Sequence, residues 1–337
     1  MRRTHICVLG IESSCDETAA AVVDVHRQQR RTAAGQQGFS FRVLSNVVAS
    51  QVSIHAQYGG VVPEVAAREH VTSIIPVVAA AMTGSSKPTA ASRKHNDTDG
   101  LRIEAVGLRL ANAIDAIAVT AGPGLITSLA VGVDTARTLA YAWKKPLIAV
   151  NHIEGHVVSS VLPHTQANDQ APMTNVQFPA LALIVSGGHT ELLLMRGWGT
   201  YECIGATRDD AAGEAFDKVA KMLGLAYPGG PAVAAAAAHG NPTAFNFPRG
   251  MLHSKDFDFS FSGLKTAVRY TVSESEISNL KSQIPNLCAS FQQAVVDVLV
   301  AKTIRAASQH RVKTVLLGGG VAANTALRSQ LCNALRT

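Results

Sequence analysis

Two segments of the chain place a short polar stretch between two apolar runs, which is the pattern of a β-hairpin. Residues 6–11 predict a buried strand, residues 12–18 (ESSCDET) a polar turn, and residues 19–25 the returning strand. The segment 180–195 (ALALIVSGGHTELLLM) repeats this design. Since helix and strand patterns follow each hairpin, the sequence predicts an α/β fold built from two similar halves.

The segments between these elements are more polar. Residues 27–41 (RQQRRTAAGQQGFSF) predict a loop that connects two strands. Residues 83–100 lack apolar periodicity and predict a flexible insertion. Residues 114–120 predict a further strand, and the AGPG turn that follows leads into a helix through Ala142.

The chain of 337 residues is 47% hydrophobic and 16% charged, which is typical of a globular enzyme with two domains. We expect an N-terminal domain at residues 1–150, which includes the insertion, and a C-terminal domain at residues 151–337. The formal charge of +6 suits a polyanionic partner such as RNA, although many ordinary enzymes share it. Five scattered cysteines, no signal peptide and no apolar run of about 20 residues predict a cytoplasmic protein with reduced thiols and no membrane span.

Residues 147–150 form an apolar run that leads directly into a predicted helix start with His152 and His156. At i and i+4 the two imidazoles share one helix face, about one turn apart, which suits two nitrogen ligands of one transition metal. Ordinary surface or capping histidines have the same spacing, so this alternative stays open. The zinc-protease motif is disfavoured, because it needs a Glu after its first His, where this chain has Ile153.

Three glycine clusters could bring backbone amides close to a phosphate or carboxylate. They are residues 186–188 (SGG) in the second hairpin, residues 228–231 (PGGP), and residues 318–320 (GGG) after an apolar run. Each could be a tight turn, but three in one chain favour a nucleotide site. Asn324 lies near the start of a helix predicted over residues 321–331, where it could contact a nucleoside or cap the helix.

Asp210, Glu214 and Asp217 fall at helical spacings and predict a stripe of carboxylates on one helix face. Such a stripe suits recognition of ribose hydroxyl groups. A purely structural stripe, paired with Lys218 and Lys221, is the alternative.

Nine longer motifs resemble those of one known family and occur in that family's order along nearly the whole chain. They are ESSCDET (12–18), HAQYGGVVPE (55–64), AGPGL (121–125), NHIEGH (151–156), VSGGHT (185–190), DDAAGEAFDKVAK (209–221), YPGGP (227–231), DFSFSGLKTAV (258–268) and GGGVAAN (318–324). In these motifs the chain resembles the TsaD family of tRNA threonylcarbamoyltransferases, and its bacterial or organellar branch most. The resemblance implies the two-lobed α/β fold of actin, the Hsp70 ATPase and sugar kinases (the ASKHA fold), with duplicated RNase H-like domains.

The resemblance also implies an acyltransferase reaction. The threonylcarbamoyl group of threonylcarbamoyl-adenylate passes to N6 of the adenosine 3′ of the anticodon (position 37) in tRNAs that read ANN codons. His152 and His156 match the family's two metal-ligating histidines, for one divalent metal per subunit, described as Fe(2+) or in some cases zinc. The family's substrate-binding positions match Ile184, Val185, Ser186, Gly187, Gly188, Asp217, Gly230 and Asn324. No catalytic residue beyond the metal site is implied, and the expected partners are tRNA and TsaB-like and TsaE-like subunits.

Two features depart from the family's pattern. Its third metal ligand is an aspartate in a C-terminal T-D-N-x-A-type segment, which does not occur up to Thr337, so we expect a fragment or a defective enzyme. Ala234 stands where many relatives have an acidic residue, and its presence could weaken contacts to ribose. The alternative functions are an ATP-dependent phosphotransferase of the same fold and an inactive fragment or scaffold.

Overall fold

The structure is a computed structural model that describes residues 5–31, 37–84, 111–162, 171–172, 176–274 and 277–336. The chain divides into two compact units. Unit 1 comprises Met1–Ile54, Val61–Gly155 and Leu162–Thr174, and unit 2 comprises His55–Gly60, His156–Val161 and Asn175–Thr337. The domain boundary expected after residue 150 stays a prediction. The predicted insertion lies outside the described residues from residue 85 onward.

Within the described residues, unit 1 contains a six-stranded sheet in the order β5-β4-β1-β2-β3-β6. Its strands are β1 (His5–Glu12), β2 (Glu17–Arg31), β3 (Gln37–Ser50), β4 (Ala116–Gly122), β5 (Leu147–Asn151) and β6 (Ala171–Pro172). β1 runs antiparallel to β2 and parallel to β4, and β4 runs parallel to β5. Every second side chain of β1 from Cys7 onward is buried, as the two-residue period of a strand requires.

Two long helices of unit 1, α2 (Pro63–Thr83) and α3 (Ile126–Trp143), pack against each other. α2 begins with proline, whose missing N–H costs nothing in the first turn, and its C-cap residue Gly84 has the left-handed conformation. The short helix α1 (Val52–His55) follows β3, and α4 (His152–Ser159) follows β5 directly.

In its described part, unit 2 contains a four-stranded sheet in the order β10-β7-β8-β9. The strands are β7 (Ala180–Val185), β8 (Thr190–Gly197), β9 (Thr200–Ala206) and β10 (Thr314–Gly318). The helices are α5 (Ala212–Met222), α6 (Gly229–Ala237), α7 (Ser262–Glu274), α8 (Ile277–Gln309) and α9 (Thr325–Ala334), with a 3₁₀ turn (Gly320–Ala323) before α9. All six side chains of β7 are buried, because this central strand is covered on both faces.

The two sheets repeat one topology. The order β4-β1-β2-β3 in unit 1 matches β10-β7-β8-β9 in unit 2, and in both the first hairpin strand pairs in parallel with a later strand. The hairpins predicted at residues 6–25 and 180–195 are β1–β2 and β7–β8. The predicted α/β fold class with two similar halves is therefore confirmed.

The predicted loop at residues 27–41 is wrong at both ends. β2 continues to Arg31 and β3 begins at Gln37, and these two residues face each other in the antiparallel pair. Hydrogen bonding between the strands outweighs their polar composition, because strand preference depends strongly on the neighbouring strand.

Each unit has its own apolar core. In unit 1 the core includes Leu9 and Ile117 of neighbouring strands together with side chains of α2 and α3. In unit 2 it includes Leu183 of β7, Phe216 of α5 and Phe291 of α8. The rings of Phe216 and Phe291 meet edge to face with their centroids 5.1 Å apart.

Two described helices are long and apolar enough to cross a membrane by length and composition alone, so the expectation that no stretch reaches this length was wrong. They are α2 and the part of α8 from Lys281 to Gln309. The α8 stretch is 67% buried within the protein. Because core helices of folded enzymes pass the same criterion, these two helices are weak evidence for a membrane span.

Candidate functional site

The tip of the β7–β8 hairpin is a tight turn with two open glycines. The amide of Ser186 donates to the carbonyl of His189 (2.8 Å), and the amide of His189 donates back to the Ser186 hydroxyl (3.1 Å). Gly187 and Gly188 are exposed, and a Cβ on either would meet no atom within 4 Å. Backbone groups at this tip are therefore accessible to a ligand.

Two residues before this tip are core residues. The side chains of Ile184 and Val185 are fully buried in β7. Only their backbone groups can face a ligand. By packing in the core, the side chains of Ile184 and Val185 fix the position of the hairpin tip.

Helix α5 is held directly against the hairpin tip. The amide of Gly213 donates to the Ser186 carbonyl (3.2 Å), and the amide of Ala212 donates to the Thr190 hydroxyl (2.9 Å). A Cβ on Gly213 would lie 2.4 Å from the Ser186 carbonyl oxygen, so only glycine permits this approach. These first amides of α5 are used within the protein, which leaves the hairpin tip as the better anion site.

Asp217 on α5 connects to the start of α6. Its Oδ1 accepts a hydrogen bond from the amide of Gly229 (2.7 Å). A Cβ on Gly229 would lie 2.5 Å from the Asp217 Cα, so the two helices touch at this point. Gly230, the next residue, is partly exposed and has open space around it. Asp217 and Gly230 therefore lie side by side at the N-terminus of α6.

The glycine cluster after β10 packs onto the same hairpin. Gly319 has φ +91°, and a Cβ there would lie 2.3 Å from the carbonyl oxygen of Val185. The chain then makes a 3₁₀ turn, and Asn324 caps α9 by accepting from the amide of Leu327 (3.0 Å). The capping role is confirmed, and contact with a nucleoside stays a prediction. The helix predicted over residues 321–331 is instead divided at Asn324.

The carboxylate stripe is not one functional surface. Asp210 precedes α5 and binds Lys218 (2.7 Å) and Lys265 (2.8 Å), and Glu214 also binds Lys218 (2.7 Å). Burial tends to raise the pKa of Asp210, but the two lysines outweigh it and hold this pKa below its ordinary value. The alternative of a structural stripe of carboxylates paired with lysines is thus correct for Asp210 and Glu214. It is wrong for Lys221, whose Nζ donates to a backbone carbonyl, that of Tyr58 (3.1 Å).

Asp209 organises the start of α7, a role that the sequence pattern did not single out. Its carboxylate accepts from the hydroxyls of Ser260 (2.5 Å) and Ser262 (2.8 Å) and from the amide of Phe261 (2.8 Å). Burial tends to raise the pKa of Asp209, but these hydrogen bonds outweigh it and lower the pKa. Asp209 therefore joins the DFSFSG motif to the residues that precede α5.

A buried lysine anchors the segment before this motif. The side chain of Lys302 on α8 is fully buried, and its Nζ donates to the Ser254 hydroxyl (2.9 Å) and to the Asp258 carbonyl. Arg305 on the same helix donates to the carbonyls of Ser254 (2.8 Å) and Asp256. These two cations satisfy carbonyl groups that would otherwise be unpaired, and they fix the path of the loop.

The predicted strand-to-helix junction with the histidine pair is present. β5 ends at Asn151, whose Oδ1 accepts from the amides of Ile153 (2.9 Å) and Glu154 (3.3 Å). α4 begins at His152 and includes His156, so the two imidazoles belong to one helix at i and i+4. This spacing separates the two residues by about 6 Å along the helix axis.

His152 is held by residues of the first hairpin. Its Nδ1 lies 3.0 Å from the Ser14 hydroxyl and 3.5 Å from Glu12 Oε2. Glu12 also accepts from the amide of Ser14 (2.6 Å) and from the hydroxyl of Thr120. Burial tends to raise the pKa of Glu12, but the hydrogen bonds from His152, Ser14 and Thr120 outweigh it and lower the pKa to about 2. An ionised carboxylate therefore orients this imidazole.

The surroundings of His152 fit those of a metal-binding histidine. With Nδ1 of His152 at the Ser14 hydroxyl, Nε2 is the nitrogen that would bind a metal, as in sites where an outer partner fixes the imidazole. Across the part of the chain that the structure describes, no group of three or more His, Cys, Asp or Glu side chains is arranged to hold a metal ion. The metal itself stays a prediction.

Two solved structures share the fold at low sequence identity. Full-length HypF, crystallised in a phosphate- and nucleotide-bound form, superposes with a TM-score of 0.53 at 11% identity, over 98% of this chain and 51% of that chain. HypF from T. kodakarensis gives a TM-score of 0.51 at 12% identity, over 98% of this chain and 44% of that chain. The chain thus spans about half of each HypF chain, and the likeness concerns the fold alone.

Sequence relatives are much closer. A tRNA N6-adenosine threonylcarbamoyltransferase from Thermomicrobium roseum is 47% identical over 343 residues, which cover 96% of this chain and 83% of that protein. The protein of the same name from Anaeromyxobacter dehalogenans is 46% identical over 322 residues, with the same two shares. Residues 42–336 match the family described as TsaD, tRNA N6-adenosine threonylcarbamoyltransferase. The chain therefore belongs to this family of tRNA-modifying acyltransferases.

Proposed function

We propose that this chain transfers the threonylcarbamoyl group of threonylcarbamoyl-adenylate to N6 of the adenosine at position 37 in tRNAs that read ANN codons. Family membership supports a tRNA-modifying acyltransferase and disfavours the phosphotransferase alternative. The observation that carries the donor site is one connected set of contacts in unit 2. The hairpin tip touches α5 through Gly213 and the third glycine cluster through Gly319, and α5 touches α6 through Asp217.

The adenylate would lie over these connected loops. Gly187, Gly188 and Gly230 have open space where a side chain would be, so a phosphate can approach their backbone. Asp217 and Asn324 are partly exposed and offer hydrogen-bond groups for ribose hydroxyls or the base. Ala234 supplies no such group on α6. Nucleotide contact at α6 then depends on Asp217 and the backbone near Gly230.

The reaction needs no protein nucleophile. The N6 lone pair of the adenosine attacks the carbamoyl carbon, a C–N bond forms, and the bond from that carbon to the phosphate oxygen breaks. Adenosine monophosphate (AMP) leaves with the electron pair, and the N6 proton passes to solvent. The contribution of this chain is to hold the donor and the tRNA amine in contact, which turns a bimolecular reaction into an effectively unimolecular one.

We include one divalent metal, Fe(2+) or zinc, in this proposal. His152 and His156 would hold it, and Ser14 with Glu12 would keep the His152 ring in place. A metal at this position would supply a Lewis acid that polarises the carbamoyl carbonyl.

The donor site is tested by variants on α5. Asp217→Ala removes a charged acceptor, and we expect it to weaken binding of a non-hydrolysable threonylcarbamoyl-adenylate mimic roughly ten- to hundredfold in titration calorimetry. Asp217→Asn keeps an acceptor for the Gly229 amide, so it separates loss of charge from loss of the α6 contact. Glu214→Ala, one turn away and bonded to Lys218, is the matched control. Equal affinity in Asp217→Ala and wild type would argue against the site.

The metal is tested by elemental analysis. We expect the purified chain to carry metal that is lost in the variant with both His152→Ala and His156→Ala. His239→Ala, an exposed histidine elsewhere, is the control. Equal metal content in the double variant and wild type would refute the assignment.

We also propose TsaB-like and TsaE-like subunits as partners in the cytoplasm, beside the tRNA that the family name implies. Large apolar side chains are exposed on the two long helices of unit 1, among them Val71 and Ile75 of α2 and Tyr141 of α3. These exposed apolar side chains are available for contact with a partner protein. Size-exclusion chromatography with each subunit tests this, and separate elution at micromolar concentration would count against it.

A further inference from the structure

Asn324 is constrained at both ends of its side-chain amide. Its Oδ1 accepts from the amide of Leu327 in the cap of α9 (3.0 Å), and its Nδ2 donates to Oε1 of Gln292 on α8 (2.8 Å). Because the cap needs an acceptor, the oxygen must face Leu327, which settles the direction of the nitrogen. Gln292 then receives one of the two Nδ2 protons.

The donor and acceptor of the Asn324 amide that these two contacts leave unused are available to a nucleoside. A side-chain amide has two N–H donors and two acceptor lone pairs. The cap and Gln292 use one of each, so Asn324 keeps one donor and one acceptor in directions that the two bonds determine. Without Gln292, only the cap would orient the amide, and its plane could rotate about the remaining bond.

Gln292 is itself positioned by the packing of unit 2. It follows Phe291, which is fully buried and packs edge to face on Phe216 of α5. Phe216 directly precedes Asp217, the other side chain of the proposed donor site. This aromatic contact therefore joins α8, which carries Gln292, to α5, which carries Asp217.

We infer that Gln292 is a positioning residue that orients the Asn324 amide for the nucleoside of the donor. This inference rests on the proposed function, in which Asn324 contacts the adenylate. Gln292 would act only through Asn324.

The neighbouring glutamine provides a matched control. Gln293 exchanges hydrogen bonds with Gln330 of α9 (3.0 and 2.9 Å) and donates to Asp297 (2.6 Å). Its contacts join α8 to α9 just as those of Gln292 do, but none of these partners is in the proposed site. A loss that arises from helix packing alone should therefore affect Gln292 and Gln293 variants equally.

The experiment measures AMP binding by titration calorimetry in the full chain. We expect Gln292→Met to weaken binding about three- to tenfold, the size of one hydrogen bond. Gln292→Glu keeps an acceptor for Nδ2 and should stay within about twofold of wild type. Gln293→Met should also bind like wild type. Thermal unfolding of each variant shows whether the fold is retained.

Asn324→Asp distinguishes an error in the proposed donor site from an error in the positioning role of Gln292. Aspartate still caps α9 but has no Nδ2 donor, so we expect weaker AMP binding, with no further loss when Gln292→Met is added. In the transfer assay, Gln292→Met should raise KM for the donor more than it changes kcat. If Asn324→Asp binds AMP normally, the proposed donor site is wrong. If Asn324→Asp is weak but Gln292→Met is normal, or if Gln292→Met and Gln293→Met weaken binding equally, the positioning role is wrong.

Discussion

Replacing Gly319 by alanine should destabilise unit 2 without removing any ligand contact. Gly319 has φ +91° and ψ 166°, a region that is essentially restricted to glycine, and a Cβ would lie 2.3 Å from the Val185 carbonyl oxygen. The backbone strain costs about 1 to 3 kcal/mol, and the crowding of a packed site costs about as much again. We expect the free energy of unfolding to fall by about 2 to 6 kcal/mol.

Gly187→Ala is the matched change at an open position. A Cβ there would meet no atom within 4 Å, so the free energy of unfolding should change by less than about 1 kcal/mol. The added methyl group would instead occupy space that the phosphate needs, and AMP binding should weaken. The two alanines thus separate a glycine required by packing from a glycine required by the ligand.

Urea unfolding followed by circular dichroism gives the stability of both variants, and titration calorimetry gives their affinity for AMP. A Gly319→Ala variant as stable as wild type would refute the close contact between the third glycine cluster and β7. Normal AMP binding by Gly187→Ala would show that the hairpin tip does not approach the phosphate.

Three further predictions concern single side chains. Asp209→Asn should lower the free energy of unfolding at pH 7. Because the native pKa of Asp209 lies below its ordinary 3.8, the ionised carboxylate stabilises the fold above pH 3.8, and this stabilisation is lost as the pH falls through the native pKa. The urea midpoints of variant and wild type should therefore converge below about pH 4. A constant gap would contradict this. Lys302→Met should lower the free energy of unfolding by roughly 2 to 4 kcal/mol, because it removes the hydrogen bonds to the partly buried Asp258 carbonyl and to the Ser254 hydroxyl. An unchanged melting temperature would mean that the loop is held by other contacts. Ser14→Ala should weaken zinc binding at His152 about tenfold in competition with a chromogenic chelator, and equal affinity would remove Ser14 from the site.

The sequence predicted the elements that depend on local pattern. Alternation of apolar and polar residues located both hairpins, and the histidine pair was correctly assigned to the start of a helix after a strand. The glycine clusters predict places where another group approaches the backbone closely. In the structure, Gly319 is approached by the backbone of β7 within the protein, whereas Gly187 has open space that a ligand could occupy.

Contacts between distant residues were beyond the sequence pattern. Glu12 meets Thr120 and His152 only because β1 lies beside β4 and β4 beside β5. The link between Gln292 and Asn324 depends on how α9 packs on α8. Helical spacing predicted that Asp210 and Asp217 share one helix face. In the structure α5 begins after Asp210, and Lys218 and Lys265 pair with Asp210.

The most direct test of the central claim is transfer to tRNA. The purified chain, its TsaB-like and TsaE-like partners, a tRNA that reads an ANN codon and threonylcarbamoyl-adenylate are combined, and the digested tRNA is analysed by mass spectrometry. We expect N6-threonylcarbamoyladenosine at position 37 with wild type and with Glu214→Ala, and much less with Asp217→Ala. Unmodified tRNA in the wild-type reaction would contradict the account and favour the alternative of an inactive fragment, and equal modification with all three proteins would contradict the role of Asp217.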